Sequence, residues 1–352
     1  MKLPSLKDFN FNDKNVLLRT SYDVPLITQK SKVPSKTRLA SGGKDQKLRI
    51  EDTRRIDESF PTIEYLVKHR AKKIVIVSHL GRPDGKEISS LSLEPVAQYV
   101  DQKLGSLVEK YPCEVFVREN LRFDPEEESN NTHFAKHLAE GMDIYVNDAF
   151  ACCHREHASI VAINKYLPGC FGLDCQKEIE TLTKIKEQST RPLVIIIGGV
   201  KDDKLKVAEK LSPWADQILI GGGLPKLIKG SKLKFKNWTI AKLTDSGKDI
   251  TKASADKFVQ IIFKAKTVIW AGPMGIYEDK RSQNGTREIA QGLVKSKAYR
   301  VIGGGDTENA LVKFGLADKM DYICSGGGAM MDFLINGSLP GIDAIVNKNP
   351  KS

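Results

Sequence analysis

The chain has 352 residues, 40% hydrophobic and 28% charged, with a formal net charge of +11 at pH 7. That length favours two domains over one core, and no apolar run approaches the ~20 residues a membrane-spanning helix needs. The positive balance suits anionic substrates; nucleic acid carries the least weight, since neither a zinc knuckle nor an aromatic-interleaved basic stripe is present.

The first fifteen residues, MKLPSLKDFNFNDKN, lack the apolar core of a signal peptide. Strand-like runs follow at 16–19, 73–78, 115–118 and 144–147. Helical stretches are predicted at 55–69 and 92–104, with Pro61 and Pro95 near their first turns. Residues 26–49 carry seven Lys or Arg and one Asp among Pro, Ser and Gly, the pattern of a solvated basic insertion. The alternative there is an arm that attracts an acidic partner. Residues 173–188 read as one long helix with Leu173, Ile179, Leu182 and Ile185 as its apolar positions. Strand and helix then alternate again to about 335, and the tail reads as a short loop. Six cysteines without CxxC spacing suit a reducing cytoplasm, with no disulfide framework and no zinc site.

This alternation predicts an α/β fold: two doubly wound, Rossmann-like parallel sheets joined by a hinge helix. The expected divisions are an N-terminal domain over 1–170, a connecting helix over 171–190 and a C-terminal domain over 191–335. The tail, 336–352, would pack back on the first domain.

The strands end in two chemistries. In the first half they run into basic side chains: His79 and Arg82 after one strand, Arg122 after another, His154 and Arg155 after a third. Arginine suits bidentate recognition of carboxylate and phosphate. In the second half they run into glycine, at Gly198-Gly199, at Gly221 to Gly223 and at Gly303 to Gly305. Ligands of open parallel sheets lie beyond the carboxyl ends of the strands, and glycine turns let backbone N–H groups approach phosphate. Lys201 and Lys204 follow one such turn, and Asp306 sits at another, where it can hold a magnesium ion on nucleotide phosphates. There is neither a GxxxxGK[ST] loop nor a well-placed GxGxxG fingerprint.

These stretches resemble the phosphoglycerate kinase family along nearly the whole chain. The matching segments are LLRTSYDVP, SHLGRPDG, ENLRFDPEEE, VNDAFACCHREHASIV, IIGGVKDDK, LIGGG, WAGPMGIYE, VIGGGDTENAL and SGGGA. The compact form looks closer to archaeal members. The resemblance implies reversible phosphoryl transfer between ATP and the carboxylate of 3-phosphoglycerate, giving ADP and 1,3-bisphosphoglycerate, by hinge closure of two domains. By similarity the acid falls to Ser21, Asp23, Arg55, His79, Arg82, Arg122 and Arg155. The nucleotide falls to Gly199, Lys201, Lys204, Gly222, Glu278, Gly304, Gly305, Asp306 and Thr307, with magnesium reached through Asp306. Arg55 and Lys201 would neutralise the transferring group. A cytoplasmic monomer, not bound to membrane, is the family expectation. Three positions depart from the family pattern: Ser21 and Asp23 replace an Asp and an Asn, and Ala271 replaces an Asn. The alternative function is a non-catalytic or weakly active relative that binds the same ligands.

Overall fold

Val16, Leu17 and Leu18 have no exposed surface. They lie in β1 (Asn15–Thr20), the central strand of a parallel sheet buried on both faces, which accounts for an unbroken apolar run rather than an alternating one. The computed structural model describes residues 3–28, 48–228 and 235–348. Most of the predicted basic insertion lies outside the described residues. Two compact units emerge, Met1–Lys177 with Pro340–Ser352, and Glu178–Leu339. The boundary falls inside the helix Leu173–Gln188.

In the first unit, β2 (Leu26–Thr28) and β3 (Leu48–Ile50) pair antiparallel. The main sheet is completed by β4 (Lys73–Val77), β5 (Glu114–Val117), β6 (Ile144–Asp148) and β7 (Gly169–Phe171), in the order β5-β4-β1-β6-β7. The chain moves outward from β1 to β4 and β5, then returns to the other side of β1. The switch point therefore lies between β1 and β6, with Arg19 opposite Asn147. Ile63, Leu66, Val96 and Val100 cover the sheet from the helices Phe60–Lys68 and Glu94–Lys110.

Two predictions need correction here. The helix expected over 55–69 is two pieces, Arg54–Asp57 and Phe60–Lys68. Pro61 has no amide hydrogen to continue the first piece and starts the second. The tail is not a loop. Pro340–Lys348 is a helix that buries Ile342 and Ile345. Gly341 makes its close seating possible: its N–H donates to the Cys153 carbonyl at 2.9 Å, and a Cβ there would meet Ile160 at 2.6 Å. Lys348 then donates to the Leu167 carbonyl at 3.1 Å.

The second unit holds β8 (Leu193–Ile197), β9 (Gln217–Ile220), β10 (Trp238–Ile240), β11 (Thr267–Ala271), β12 (Tyr299–Gly303) and β13 (Tyr322–Cys324). Their order is β10-β9-β8-β11-β12-β13, all parallel, so the switch point lies between β8 and β11. Trp270, Phe258, Ile196 and Leu293 fill the core beside it, and the Trp270 indole donates to the Gly272 carbonyl at 2.8 Å. No single helix among the described residues is long and apolar enough to cross a membrane.

The tail helix is thus part of the first unit's core, not an appendage. Ile345→Ala leaves a cavity and should lower unfolding free energy by about 2–5 kcal/mol; urea denaturation measures it, and an unchanged midpoint would contradict the packing described.

Candidate functional site

Beyond the carboxyl end of the first unit's sheet, three turns hold one another in place. Gly81, at φ 62°, is the pivot of the turn after β4. Its N–H donates to Asp23 Oδ1 at 2.9 Å, and its carbonyl accepts from Arg122 NH1 at 2.7 Å. The turn carrying Arg122 is pinned in turn by Asn120, whose amide donates to the Leu80 and Leu91 carbonyls and whose Oδ1 accepts from the Arg122 N–H. Arg122 Nε lies 3.0 Å from Glu128, and burial pulls the guanidinium below its ordinary pKa. Arg55 donates to the Asp23 carbonyl at 3.2 Å.

Asp23, a carboxylate where the family pattern has an Asn, therefore has a local use: it accepts from the Gly81 amide. His79 is 6% exposed and its pKa lies well below 6.5, because burial and then the charges of Arg19 and Arg122 disfavour the imidazolium. Arg155 is half-buried and close enough to add to that effect. Arg82 is exposed and Ser21 half-buried; neither hydrogen-bonds to the rest of the predicted set.

Sequence reasoning missed Arg19. Its guanidinium has no exposed surface. Nε donates to Ser159 Oγ at 2.9 Å, NH1 to the Thr20 carbonyl, and NH2 to His79 Nδ1 at 3.2 Å. Ser159 Oγ passes the contact on, donating to Glu127 Oε1 at 2.6 Å, while Ser159 N–H donates to Oε2 at 2.9 Å. Glu127 is fully buried; burial raises its pKa, and Arg19 and Ser159 pull it back. The available signal was a charge inside the apolar run VLLRT and a second in PEEE.

The second unit builds its site from backbone. Gly198 N–H donates to the Ala271 carbonyl, Gly199 N–H to the Pro273 carbonyl, and Gly223 N–H to the Gly199 carbonyl. A Cβ on Gly272, at φ 93°, would meet the Gly198 carbonyl oxygen at 2.3 Å and Lys204 Nζ at 2.8 Å. One on Gly222 would meet the Gly199 nitrogen at 2.4 Å. Only glycine fits this meeting of turns. Gly304, at φ 93°, precedes the helix Gly305–Lys313, whose first turn carries Asp306. Thr307 is buried, and its hydroxyl oxygen accepts from the Gly272 N–H at 2.7 Å, tying that helix to the end of β11.

Lys204 is half-buried; burial lowers its pKa, and Asp306 and Asp203 oppose that. Lys201 and Glu278 are exposed, and the Glu278 carbonyl accepts from Lys313. No group of three or more His, Cys, Asp or Glu among the described residues forms a metal cage. The donor set instead fits magnesium carried on nucleotide phosphates: one carboxylate, a lysine facing it and a helix N-terminus after glycine.

Comparison with known proteins gives one answer. The family model described as "Phosphoglycerate kinase" matches residues 42–232 and 229–337. The phosphoglycerate kinase of Finegoldia magna is 35% identical, with 98% of this chain and 99% of that protein covered. That of Moorella thermoacetica is 34% identical, with 98% and 99% covered. The solved phosphoglycerate kinase of Coxiella burnetii superposes with a TM-score of 0.74 at 29% identity, covering 98% of this chain and 99% of that one. That of Pyrococcus horikoshii gives 0.76 at 28%, covering 97% and 98%.

Burial beside Arg122 and Arg19 also lowers the pKa of His157 from 6.5 to about 3. The unfolded chain therefore takes up a proton near pH 6.5 that the folded chain refuses, and stability falls as pH drops from there. His157 alone contributes a slope of about 1.4 kcal/mol per pH unit. Asp148, raised from 3.8 to about 6 by burial, acts oppositely as pH falls from 6 to 3.8. Comparing His157→Gln with the parent by urea unfolding at pH 7, 6 and 5 isolates the first slope. The variant should show the shallower loss on acidification, and parallel curves would contradict the buried neutral imidazole.

Proposed function

The chain belongs to the phosphoglycerate kinase family and catalyses reversible phosphoryl transfer between ATP and the carboxylate of 3-phosphoglycerate; we propose that the basic turns of its first unit take the acid and the glycine turns of its second take Mg·ATP. The observation that carries this division is the contrast at the strand ends. His79, Arg82, Arg122 and Arg155 follow the strands of one sheet, whereas Gly199, Gly222, Gly272 and Gly304 follow those of the other.

The chemistry asks little of a general base. The attacking oxygen belongs to a carboxylate already ionised at pH 7, and phosphoryl transfer is mainly positioning and charge neutralisation. Arg82, exposed and without a hydrogen-bond partner among the described residues, and the Nε2 side of His79 are available to the acid's anionic groups. Arg55 donates to the Asp23 carbonyl, which helps orient its guanidinium. Ser21, Asp23, Arg122 and Arg155 complete this half, with Asp23 and Arg122 acting largely by fixing the Gly81 turn.

In the other half, Gly199, Gly222, Gly304, Gly305 and Thr307 shape a backbone cradle, Lys201 and Lys204 supply point charges, and Glu278 takes the ribose side. Asp306 is the residue that would hold magnesium, which when bound neutralises phosphate charge. In-line transfer needs acid and nucleotide brought together, the step the family resemblance assigns to hinge closure.

The setting of this reading is a cytoplasmic monomer working in glycolysis or gluconeogenesis. Six free thiols support a reducing compartment.

A coupled assay of ATP-dependent 1,3-bisphosphoglycerate formation tests the proposal. The parent protein should turn over, and Arg55→Ala should lower kcat by about 10²–10³-fold, as loss of one transition-state donor does. Turnover unaffected by the substitution would remove Arg55 from its role; no turnover in the parent would overturn the enzyme itself.

A further inference from the structure

We propose that Arg19 is a positioning residue that locks His79 in one tautomer, leaving Nε2–H as the hydrogen-bond donor presented to the acid substrate. The inference deepens the functional reading above and rests on it for the identity of the ligand.

A guanidinium can only donate. Arg19 NH2 lies 3.2 Å from His79 Nδ1, so Nδ1 must be the unprotonated, accepting nitrogen and the ring proton must sit on Nε2. Among the described residues, the other hydrogen-bond contact of Nδ1 is Cys152 Sγ at 3.9 Å, a weak partner. Nε2 has no hydrogen-bond partner among the described residues. A neutral His79 with the opposite tautomer would face an anion with a lone pair and repel it. With this tautomer it donates.

Arg19 is itself held against rotation. Its Nε bonds to Ser159 Oγ, its NH1 to the Thr20 carbonyl, and its NH2 also faces Cys152 Sγ at 3.8 Å. Ser159 accepts from Arg19 and donates to the buried Glu127 carboxylate, so every proton in the series Arg19–Ser159–Glu127 has one assigned direction. The guanidinium's charge has its counter-charge one hydroxyl away, and its fork is aimed at the imidazole by groups remote from substrate. Arg19 stands near the end of β1, beside the switch point, so the backbone that aims it belongs to a strand buried from Val16 to Thr20.

Two measurements on the full chain test this. In protein labelled with ¹⁵N-histidine, two-bond ¹H–¹⁵N correlation at pH 7 should show His79 with Nδ1 unprotonated and Nε2 protonated. An Nδ1–H ring, or an even mixture of the two, would overturn the proposal whether or not the protein turns over. Ser159→Ala removes the anchor on Arg19 without touching substrate. It should mix the His79 tautomers and raise KM for 3-phosphoglycerate about tenfold, with KM for ATP unchanged. Circular dichroism and the unfolding midpoint establish that the variant is folded. A folded variant with the parent tautomer and parent KM, or with both KM values raised alike, would show that Ser159 and Arg19 are structural only. If the parent protein lacks kinase turnover, the spectrum alone decides the tautomer, so failure of the functional reading stays separate from failure of this one.

Discussion

A buried guanidinium is the constraint around which the first unit is arranged. Arg19 has no exposed surface, and an uncompensated charge in that position would cost several kcal/mol. It is tolerated because its donors are directed to three kinds of acceptor: a backbone carbonyl, a hydroxyl backed by a carboxylate, and an imidazole. Each requirement draws in a different part of the chain. Ser159 and the turn around it must approach from beyond β6, Glu127 must come inward from a short helix, and His79 must stand at the end of β4. Much of the basic site therefore follows from satisfying one charge, and the imidazole that results is neutral because the same burial and the same charges disfavour its cation.

The second unit solves a related problem by other means. Among its described residues it has no buried arginine at its strand ends. Gly198, Gly222 and Gly272 let backbone segments meet at distances that any Cβ would forbid. Thr307 joins the start of one helix to the end of β11, so the turn beyond β12 cannot drift from its neighbour. Side chains in one unit and backbone in the other suit the ligands proposed for them: a small acid whose two ends need separate grips, and phosphates that accept many N–H donors at once.

The parts legible in the sequence were those with strong local signals. Apolar runs ending in His or Gly gave the strands and their functional ends, and the pattern of Ile179, Leu182 and Ile185 gave the long helix. The tail helix was hidden because Pro340 and Gly341 read as loop residues, whereas Gly341 is there for a close approach to Cys153. The break at Ser59 came from Pro61 competing with an otherwise continuous helical pattern. Arg19, Ser159 and Glu127 were invisible for a different reason: they are 32 to 140 residues apart, and only the fold makes them one network. Asp23 was legible as a carboxylate near an anion site but not as the cap of Gly81, which depends on a contact across 58 residues.

The central claim is that two classes of anion are bound by two different units. Calorimetric titration with each ligand separately tests it most directly. Arg82 is exposed and makes no hydrogen bond within the basic set, so Arg82→Ala should leave the fold intact. The variant should bind 3-phosphoglycerate about tenfold or more weakly, the scale of a lost charged hydrogen bond, and bind Mg·ATP as the parent does. Lys204→Ala should do the reverse. Equal losses of both ligands in either variant, or parent-like binding of the acid by Arg82→Ala, would contradict the division of labour.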